Sequence, residues 1–208
     1  YDGRGVKVLR NIDAIQHGFD APSVLEKFVD YDKEISVLVA RNSNGETKTF
    51  PVVELEFHRE ANLVEFLFSP ASLETSIEEK AQKIAIDVIE KLDMVGLLAV
   101  EMFVTKNGEV LVNESAPRTH NSGHHTIEGN VTSQFEQHIR AIMNLPLGDT
   151  SIKKNAVMIN LLGAEGFTGE AVYEGAEIVM ALDNVHLHLY GKKITKPFRK
   201  MGHVTILG

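Results

Sequence analysis

The stretch GLLAVEMFVTKNGEVLVNES, residues 96–115, decides the predicted fold. Two runs rich in strand-forming residues flank Asn107-Gly108, a dipeptide typical of a two-residue type I′ hairpin turn. The stretch therefore predicts an antiparallel hairpin. Its last residues are polar, which places chemistry-bearing side chains at the end of the hairpin that lies away from the turn.

The turn predicts which side chains face each other across the hairpin. With a two-residue turn, Phe103 faces Val112 and Glu101 faces Glu114. Directly opposed residues have Cβ atoms about 4.5–5.5 Å apart, and like charges at that distance are destabilising. The two carboxylates therefore need to be neutralised, either by a proton on one of them or by a divalent cation.

The residues beside this pair favour magnesium. Asn113 adds an oxygen ligand of the kind that Mg²⁺ prefers, and Mg²⁺ held by one or two carboxylates usually shares its ligand shell with nucleotide phosphates. This pattern indicates a phosphoryl-transfer site. The alternative is a slipped register, in which both acids are solvated residues at the rim.

Periodicity predicts the neighbouring elements. The predicted strands are 24–29, 35–41, 47–56, 63–68, 156–162, 185–190 and 203–207, and the predicted helices are 76–92, 131–143 and 172–180. Ser76 and Glu79 form a capping-box pattern at the first of these helices. Leu145-Pro-Leu-Gly148 ends the second helix and predicts a boundary between one domain at 1–148 and another at 149–208.

A polar loop follows the hairpin. Residues 116–125, APRTHNSGHH, should leave the sheet at the end where Glu114 lies, and they offer donors for an anionic intermediate and groups for proton transfer. One alternative is a hydrophilic surface loop. Another is a transition-metal cluster of His120, His124, His125 and His138. It is disfavoured because no pair of histidines four residues apart lies on a predicted helix.

Two further segments are candidates for phosphate binding. In YDGRG, residues 1–5, the glycines let backbone N–H groups approach phosphate oxygens, and Arg4 adds a fork of donors; the alternative is a plain loop. A basic block near the end of the chain would suit one phosphate group, or it is a solvated turn. Its members are Lys192, Lys193, Lys196, Arg199 and Lys200.

Composition narrows the function classes. The 208 residues carry a net charge of −8, which argues against nucleic acid or an anionic membrane surface as a partner. No cysteine is present, which removes disulfides, thiolate zinc sites and cysteine nucleophiles and suits the cytoplasm. The most apolar stretch, 94–104, is interrupted by Glu101 and is shorter than the ~20 residues that span a bilayer.

Four segments, in this order, closely resemble the 5-(carboxyamino)imidazole ribonucleotide synthetases, ATP-grasp enzymes of purine biosynthesis. They are NESAPRTHNSGH (113–124), TSQFEQH (132–138), YGK (190–192) and RKMGH (199–203). The resemblance covers essentially the whole chain. It implies an α+β ATP-grasp fold with part of the ATP lid, a catalytic antiparallel sheet with helices, and a small, mostly β C-terminal domain.

The resemblance also implies an activity, namely the use of ATP, Mg²⁺ and bicarbonate to carboxylate the exocyclic amine of 5-aminoimidazole ribonucleotide through carboxyphosphate. Because the family has an N-terminal domain and early lid strands before the segment that Tyr1 matches, we expect the chain to lack its N-terminal part. The first alternative is another ATP-grasp ligase, notably the formate-dependent phosphoribosylglycinamide formyltransferase, which has Asp-Thr-Gly where this chain has Asn121-Ser122-Gly123. The second is a nucleotide-binding fragment without catalysis. A homodimer is left open.

Roles for individual residues follow from the resemblance. The implied metal ligands are Glu101 and Glu114. The implied nucleotide-binding residues are Tyr1, Asp2, Gly3, Arg4, Gly5, Glu26, Lys27, Phe28, Val29, Glu34, His58, Asn113 and Glu114. Arg4, Arg118, His120 and Asn121 are implied in catalysis, and Ser122, Lys192, Arg199 and Lys200 in binding the acceptor substrate.

Overall fold

A computed structural model of the chain describes residues 6–58 and 63–208. Within these ranges, nine strands form one antiparallel sheet: β1 (Tyr31–Arg41), β2 (Thr47–Thr49), β3 (Val53–Phe57), β4 (Val64–Ser69), β5 (Gly96–Thr105), β6 (Val110–Ala116), β7 (Ala156–Leu162), β9 (Val185–Leu189) and β11 (Lys200–Leu207). Strands β8 (Gly169–Glu170) and β10 (Ile194–Thr195) form a separate pair. The helices are α1 (Thr75–Lys91), α2 (Thr126–Gly129), α3 (Gln134–Ile142) and α4 (Ala176–Met180), with 3₁₀ turns at Ile12–His17 and Asn121–Gly123.

The strand order brings distant segments together. It runs β6-β5-β1-β3-β4-β7-β11-β9, with β2 paired to β1. Because β4 pairs with β7, the sheet continues across the predicted boundary at residue 148. The division into two domains therefore stays a prediction. Of the helices that the structure describes, none has both the length and the apolar character needed to span a bilayer.

Strand β1 separates a hydrophobic face from a polar one. Ile35, Val37 and Val39 are fully buried and pack with residues of α1 in the largest apolar cluster. The alternate residues, Glu34 and Ser36, point to the opposite face, because successive side chains of a strand alternate. The apolar cluster under α1 thus supports a strand whose other face is free to carry chemistry.

The predicted helix at 76–92 is confirmed as α1, but the capping box is wrong. The N-cap is Glu74, with extended backbone dihedrals and no side-chain cap bond, and the helix begins at Thr75. Ser76 therefore lies inside the first turn instead of at the cap. Helix formation depends on the buried residues Ala81, Ala85 and Ile89, which are spaced four apart along one face.

The predicted strand at residues 24–29 is wrong. These residues have no regular secondary structure and pair with none of the described strands, and Leu25 is 84% exposed. A short apolar run becomes a strand only when a neighbour supplies ladder hydrogen bonds and covers its side chains. None of the described strands does so here.

The hairpin of β5 and β6 forms, but its turn differs from the prediction. Thr105 N–H donates to Glu109 O at 2.9 Å, so the loop has three residues and ends at Gly108 with φ +75°. As a result Phe103 pairs with Leu111, and the expected pairing with Val112 is wrong.

A bulge on β6 restores the expected pairing further along. The register shifts between Met102, which pairs with Val112, and Glu101, which pairs with Glu114. Asn113 is the additional residue on the bulged strand. The opposed glutamates are thus confirmed, although the turn that predicted them is wrong by one residue.

Candidate active site

Three carboxylates from adjacent strands share the polar face of the sheet. Glu34 on β1 and Glu101 on β5 are 6% and 7% exposed, while Glu114 on β6 is exposed. Asn113 Nδ2 lies 3.4 Å from Glu34 Oε1. Ligand atoms of Glu101, Glu114 and His120 all lie within 4.8 Å of one another. The sheet therefore converges oxygen donors from three strands on one place.

The electrostatics of this group favour neutralisation of the carboxylates, either by protons or by a cation. Burial, with the charges of Glu101 and Glu114, raises the pKa of Glu34 to about 7, against a smaller opposing effect of the bond from Asn113. Burial and the charge of Glu114 likewise raise the pKa of Glu101 to about 7. Such acids are unfavourable as free anions, and a divalent cation with oxygen ligands would satisfy them. The donor set fits Mg²⁺.

The polar loop extends over this face. His120 Nδ1 lies 3.6 Å from Glu101 Oε1 and 3.0 Å from Ser122 Oγ, and Ser122 Oγ lies 2.9 Å from Ser36 Oγ. Burial, then the charges of Arg118 and Lys200, lower the pKa of His120 to about 4. The His120–Glu101 contact is therefore not an ion pair at neutral pH.

An amide pair ties the loop to the second half of the sheet. Asn121 Nδ2 donates to Asn160 Oδ1 at 2.8 Å, and Asn160 Nδ2 donates to Asn121 Oδ1 at 2.9 Å and to Val64 O at 2.9 Å. Asn160 is a buried residue of β7. Strands from both halves of the chain thus hold the loop in place.

Cationic side chains reach this region from the loop and from β11. Arg118 and Lys200 lower the pKa of Glu101, so both charges act on the carboxylates. Arg118 is exposed and donates to Thr119 O at 3.0 Å. Glu101, although buried, is therefore flanked by two positive charges as well as by a second acid.

Two of the other basic residues, Lys192 and Lys193, line an open cavity of about 660 Å³. Lys192 lines it and donates to Lys200 O at 2.5 Å, with Nζ 5.4 Å from the centre of the Tyr190 ring. Arg199 Nη1 donates to Ile194 O at 2.7 Å. The basic block is thus folded around the end of β11, where Lys200 connects it to the carboxylate face.

Some of the residues predicted to bind the nucleotide lie away from the three carboxylates, and others fall outside the described residues. Tyr1, Asp2, Gly3, Arg4 and Gly5 lie outside the described residues.

Residues 26–29 precede β1 in a largely exposed segment without regular secondary structure that leads to Asp30. Asp30 lies 3.1 Å from Lys106 at the hairpin turn. His58 follows β3, and its ring centre lies 5.4 Å from that of Phe198. The structure therefore joins Glu34, Glu101, Asn113, Glu114 and the 118–122 loop, while residues 26–29 lie towards the turn end of the hairpin.

Sequence reasoning missed Ser36, Asn160, Gln134 and His203. Asn160 and Ser36 are polar positions in apolar strands, which is a usable signal because buried polar groups need partners. His203 is stacked between His124 and His188, with ring centres 4.8 and 4.4 Å away, and Tyr190 Oη lies 3.0 Å from its Nδ1. Only the fold brings these rings together.

Buried histidines should make the protein acid-sensitive. Burial is the largest cause that lowers the pKa of His120 and His124 to about 4 and of His125 and His203 to about 3. In the unfolded chain the pKa of a histidine is about 6.5. Below that pH the unfolded chain takes up these protons and the folded chain does not, so the stability of the folded protein decreases as the pH decreases. Glu34 and Glu101 act in the opposite sense between pH 7 and about 4.5. We expect the four histidines to outweigh the two acids, so the free energy of unfolding from urea titrations should fall between pH 6.5 and 5.

The variant His125→Gln isolates one contribution. His125 is fully buried, and its Nδ1 has no hydrogen-bond partner among the described residues. Below pH 6.5 the free energy of unfolding should change less steeply with pH in the variant than in the unchanged chain. The difference in slope should be about 1.4 kcal/mol per pH unit, the amount for one proton. An unchanged slope in the variant would contradict the assignment.

The sheet and its converging carboxylates define the class of protein. The family model "ATP-grasp domain" matches residues 1–135. The chain belongs to the ATP-grasp family, and the predicted fold is confirmed. The model "Phosphoribosylaminoimidazole carboxylase C-terminal domain" matches residues 156–208.

Individual relatives show which group of ATP-grasp proteins the chain is most similar to among those compared. The chain is 44% identical to the N5-carboxyaminoimidazole ribonucleotide synthase of Bacillus subtilis, over 100% of this chain and 53% of the relative. Its fold matches the Thermotoga maritima N5-carboxyaminoimidazole ribonucleotide synthetase with a TM-score of 0.89 and 48% identity, over 99% of this chain and 55% of that one. The resemblance to this synthetase family is thus confirmed. The chain spans about half the length of these relatives.

A relative solved with ligands is also similar. The Aspergillus clavatus N5-carboxyaminoimidazole synthase in complex with ADP and 5-aminoimidazole ribonucleotide has a TM-score of 0.84 and 34% identity, over 94% of this chain and 52% of that one. That protein thus binds a nucleotide and an aminoimidazole ribonucleotide on a fold shared with this chain.

Proposed function

We propose that the chain forms the catalytic sheet and C-terminal part of an ATP-dependent ligase that carboxylates 5-aminoimidazole ribonucleotide with bicarbonate. The observation that carries the proposal is the opposed pair Glu101 and Glu114 beneath the Arg118–Ser122 loop, with Lys200 alongside. The Aspergillus clavatus relative, whose complex contains both ADP and the ribonucleotide, supports it.

The reaction consists of two group transfers. A bicarbonate oxygen attacks the γ-phosphorus of ATP, the bond to ADP breaks, and carboxyphosphate forms. The amine of the ribonucleotide then takes the carboxyl group, directly or as released CO₂, and phosphate leaves. Both steps concentrate negative charge, so the residues have to provide positioning and electrostatic stabilisation.

Glu101 and Glu114 would hold Mg²⁺, with Asn113 as a further oxygen donor. When bound, Mg²⁺ neutralises charge on the transferring phosphoryl group. Glu34, on the same face, is assigned to the nucleotide ribose. His58, Glu26, Lys27, Phe28, Val29 and the segment Tyr1, Asp2, Gly3, Arg4 and Gly5 are assigned to the nucleotide.

The loop and β11 would serve the acceptor side. Arg118 and Lys200 bring positive charge to the position where carboxyphosphate would form, an arrangement that stabilises developing negative charge. His120 is neutral at pH 7, so it can accept a hydrogen bond from the attacking amine. Asn121 and Ser122 are held by bonds to the sheet, which suits them to orient the substrate.

The decisive assay measures ADP formation by the intact enzyme that carries this chain, with ATP, Mg²⁺, bicarbonate and 5-aminoimidazole ribonucleotide. We expect ADP release that depends on both bicarbonate and the ribonucleotide. Activity with formate and phosphoribosylglycinamide instead would identify the formyltransferase alternative. Nucleotide binding without turnover would identify a non-catalytic protein.

Lys192 and Arg199 are assigned, with Lys200, to the ribonucleotide phosphate. Lys192→Ala or Arg199→Ala in the intact enzyme should raise the Kd for the ribonucleotide about 10- to 100-fold, because a charge-assisted hydrogen bond contributes roughly 1.5 to 3 kcal/mol. The Kd for ATP should hardly change. Isothermal titration calorimetry with each ligand measures both values.

The control is Lys91→Ala, which removes the same charge from the exposed end of α1. It should leave both affinities unchanged. Loss of ATP affinity in the Lys192 and Arg199 variants, with normal binding of the ribonucleotide, would assign the basic block to the nucleotide instead.

The proposal also includes a division into two domains, a homodimer and a cytoplasmic location. The division into domains at 1–148 and 149–208 is supported by family matches that end and begin on either side of residue 148. A homodimer is supported by exposed apolar residues on one side of α3, Phe135, Ile139 and Ile142, and sedimentation would test it. A cytoplasmic location is supported by the cysteine-free composition.

A further inference from the structure

Helix α3 carries two fully buried glutamines, Gln134 and Gln137, both 0% exposed. A buried amide has to satisfy both its oxygen and its nitrogen, so each side chain should have specific partners. Gln137 brackets the peptide of Gly148: its Oε1 accepts from Gly148 N at 2.8 Å, and its Nε2 donates to Gly148 O at 3.2 Å. Gln134 makes the same kind of bracket inside the candidate active site.

Gln134 holds the backbone of His120. Gln134 Oε1 accepts from His120 N at 2.8 Å, and Gln134 Nε2 donates to His120 O at 2.8 Å. A backbone N–H can only donate and a carbonyl can only accept. The orientation of the amide is therefore fixed by its partners, without the usual ambiguity between oxygen and nitrogen.

The same amide nitrogen determines the state of a second histidine. Gln134 Nε2 lies 3.0 Å from His124 Nδ1. Because the amide nitrogen can only donate, Nδ1 has to accept, and a neutral imidazole with an acceptor at Nδ1 carries its proton on Nε2. The His124 ring is also stacked on His203, at 4.8 Å between centres.

Further bonds make this contact rigid. Thr126 Oγ1 accepts from Gln134 N at 2.8 Å and donates to Gly123 O at 2.6 Å. The first residue of α3 is thus joined to the 120–123 loop through both its side chain and its backbone. Movement of the Gln134 amide would therefore move His120 relative to Glu101 and Ser122.

We propose that Gln134 is a positioning residue. Its amide binds the backbone N–H and C=O of His120 and holds His124 in the Nε2–H tautomer, and these bonds keep the loop in position over the carboxylates. Gln134 acts through the two histidines and is not assigned a contact with substrate. The kinetic consequence rests on the proposed function, but the tautomer of His124 does not.

The test is ¹⁵N NMR of the histidine side chains in this chain and in Gln134→Glu. The substitution keeps the shape of the side chain, and its carboxylate still accepts from His120 N. The ionised side chain cannot donate to His124 Nδ1 or to His120 O, so at a pH where this buried acid has lost its proton we expect Nδ1 of His124 to become protonated. The Nδ1 resonance should change from an acceptor-type to an N–H-type shift, while the unchanged chain shows the acceptor type.

Gln137→Glu is the matched control. It places the same charge on the same helix, at an equally buried bracket that holds Gly148 instead of His120. It should lower the melting temperature by a comparable amount and leave the His124 resonances unchanged. If Gln134→Glu does not fold, Gln134→Met removes the donor without adding charge, and His124 should then show a mixture of tautomers.

In the intact enzyme, Gln134→Glu should lower kcat about 10- to 100-fold, since displacing a positioned group by about 1 Å can cost about 100-fold. The KM for ATP should change little, because the amide faces the acceptor loop. A protonated Nδ1 in the unchanged chain, an unaltered His124 tautomer in both Gln134 variants, or the same change in Gln137→Glu would overturn the proposal. Loss of the synthetase assignment would leave the NMR result standing.

Discussion

Glu101→Gln in the intact enzyme is expected to lower Mg²⁺-dependent ATP hydrolysis at least about 100-fold without unfolding the protein. The change removes half of a paired ligand set, and charge stabilisation by a bound metal is worth several kcal/mol, with about 1.4 kcal/mol for each factor of ten in rate. Because Glu101 and Glu114 face each other, removing one charge also relieves a repulsion, so the free energy of unfolding without metal should hold or rise. ADP release and urea unfolding measure the two effects.

Glu114→Gln should behave in the same way. Glu109→Gln is the control, because Glu109 is an exposed acid on the same hairpin, beside its turn. It should retain normal activity. Full ATP hydrolysis by either the Glu101 or the Glu114 variant would exclude the pair as the metal site.

The opposed pair Glu101 and Glu114 could be predicted from the sequence because both residues lie within one local hairpin. Cross-strand pairing follows from the turn and the alternation of side chains, and both are encoded within residues 96–115. The prediction nevertheless assumed the wrong turn. The three-residue loop shifts the register by one, and the bulge at Asn113 shifts it back before Glu101 is reached.

The bulge itself is a tertiary effect that no local pattern indicated. It brings Asn113 to 3.4 Å from Glu34, a residue of the neighbouring strand β1. The same limit explains the wrong strand at residues 24–29, whose apolar composition suits a strand but which finds no partner in the described chain. Local pattern gives a strand its tendency, and pairing decides whether it forms.

The support beneath the loop could not be derived from spacing at all. Asn160 lies 39 positions from Asn121, and Ser36 lies 86 positions from Ser122. The family resemblance identified the loop residues, because they form one continuous motif. It gave no role to Asn160, Ser36 or Gln134, whose contacts with the loop depend on how β1, β7 and α3 pack together.

Gly123→Ala is expected to destabilise the protein strongly, because the added methyl group has no room beside the loop. A Cβ at this position would lie 2.5 Å from Gln134 Oε1 and closer still to Leu38 Cδ1, and neither atom belongs to a flexible exposed side chain. Overpacking of this kind costs about 1 to 3 kcal/mol. The free energy of unfolding from urea titrations should fall by that amount.

The added methyl should also damage activity beyond its effect on stability, because relief of the clash requires the loop to move away from β1 or Gln134 to release His120. Gly129→Ala, on the neighbouring helix α2, is the matched control, since its Cβ would meet no atom closer than 3.5 Å. We expect Gly129→Ala to retain its stability and turnover, whereas Gly123→Ala at a temperature where it is folded should lose kcat at least about tenfold, as displacement of a positioned group predicts. If the folded Gly123→Ala protein turned over at the normal rate, the loop would not need its contacts with Leu38 and Gln134, and the position of His120 over Glu101 would have no catalytic importance.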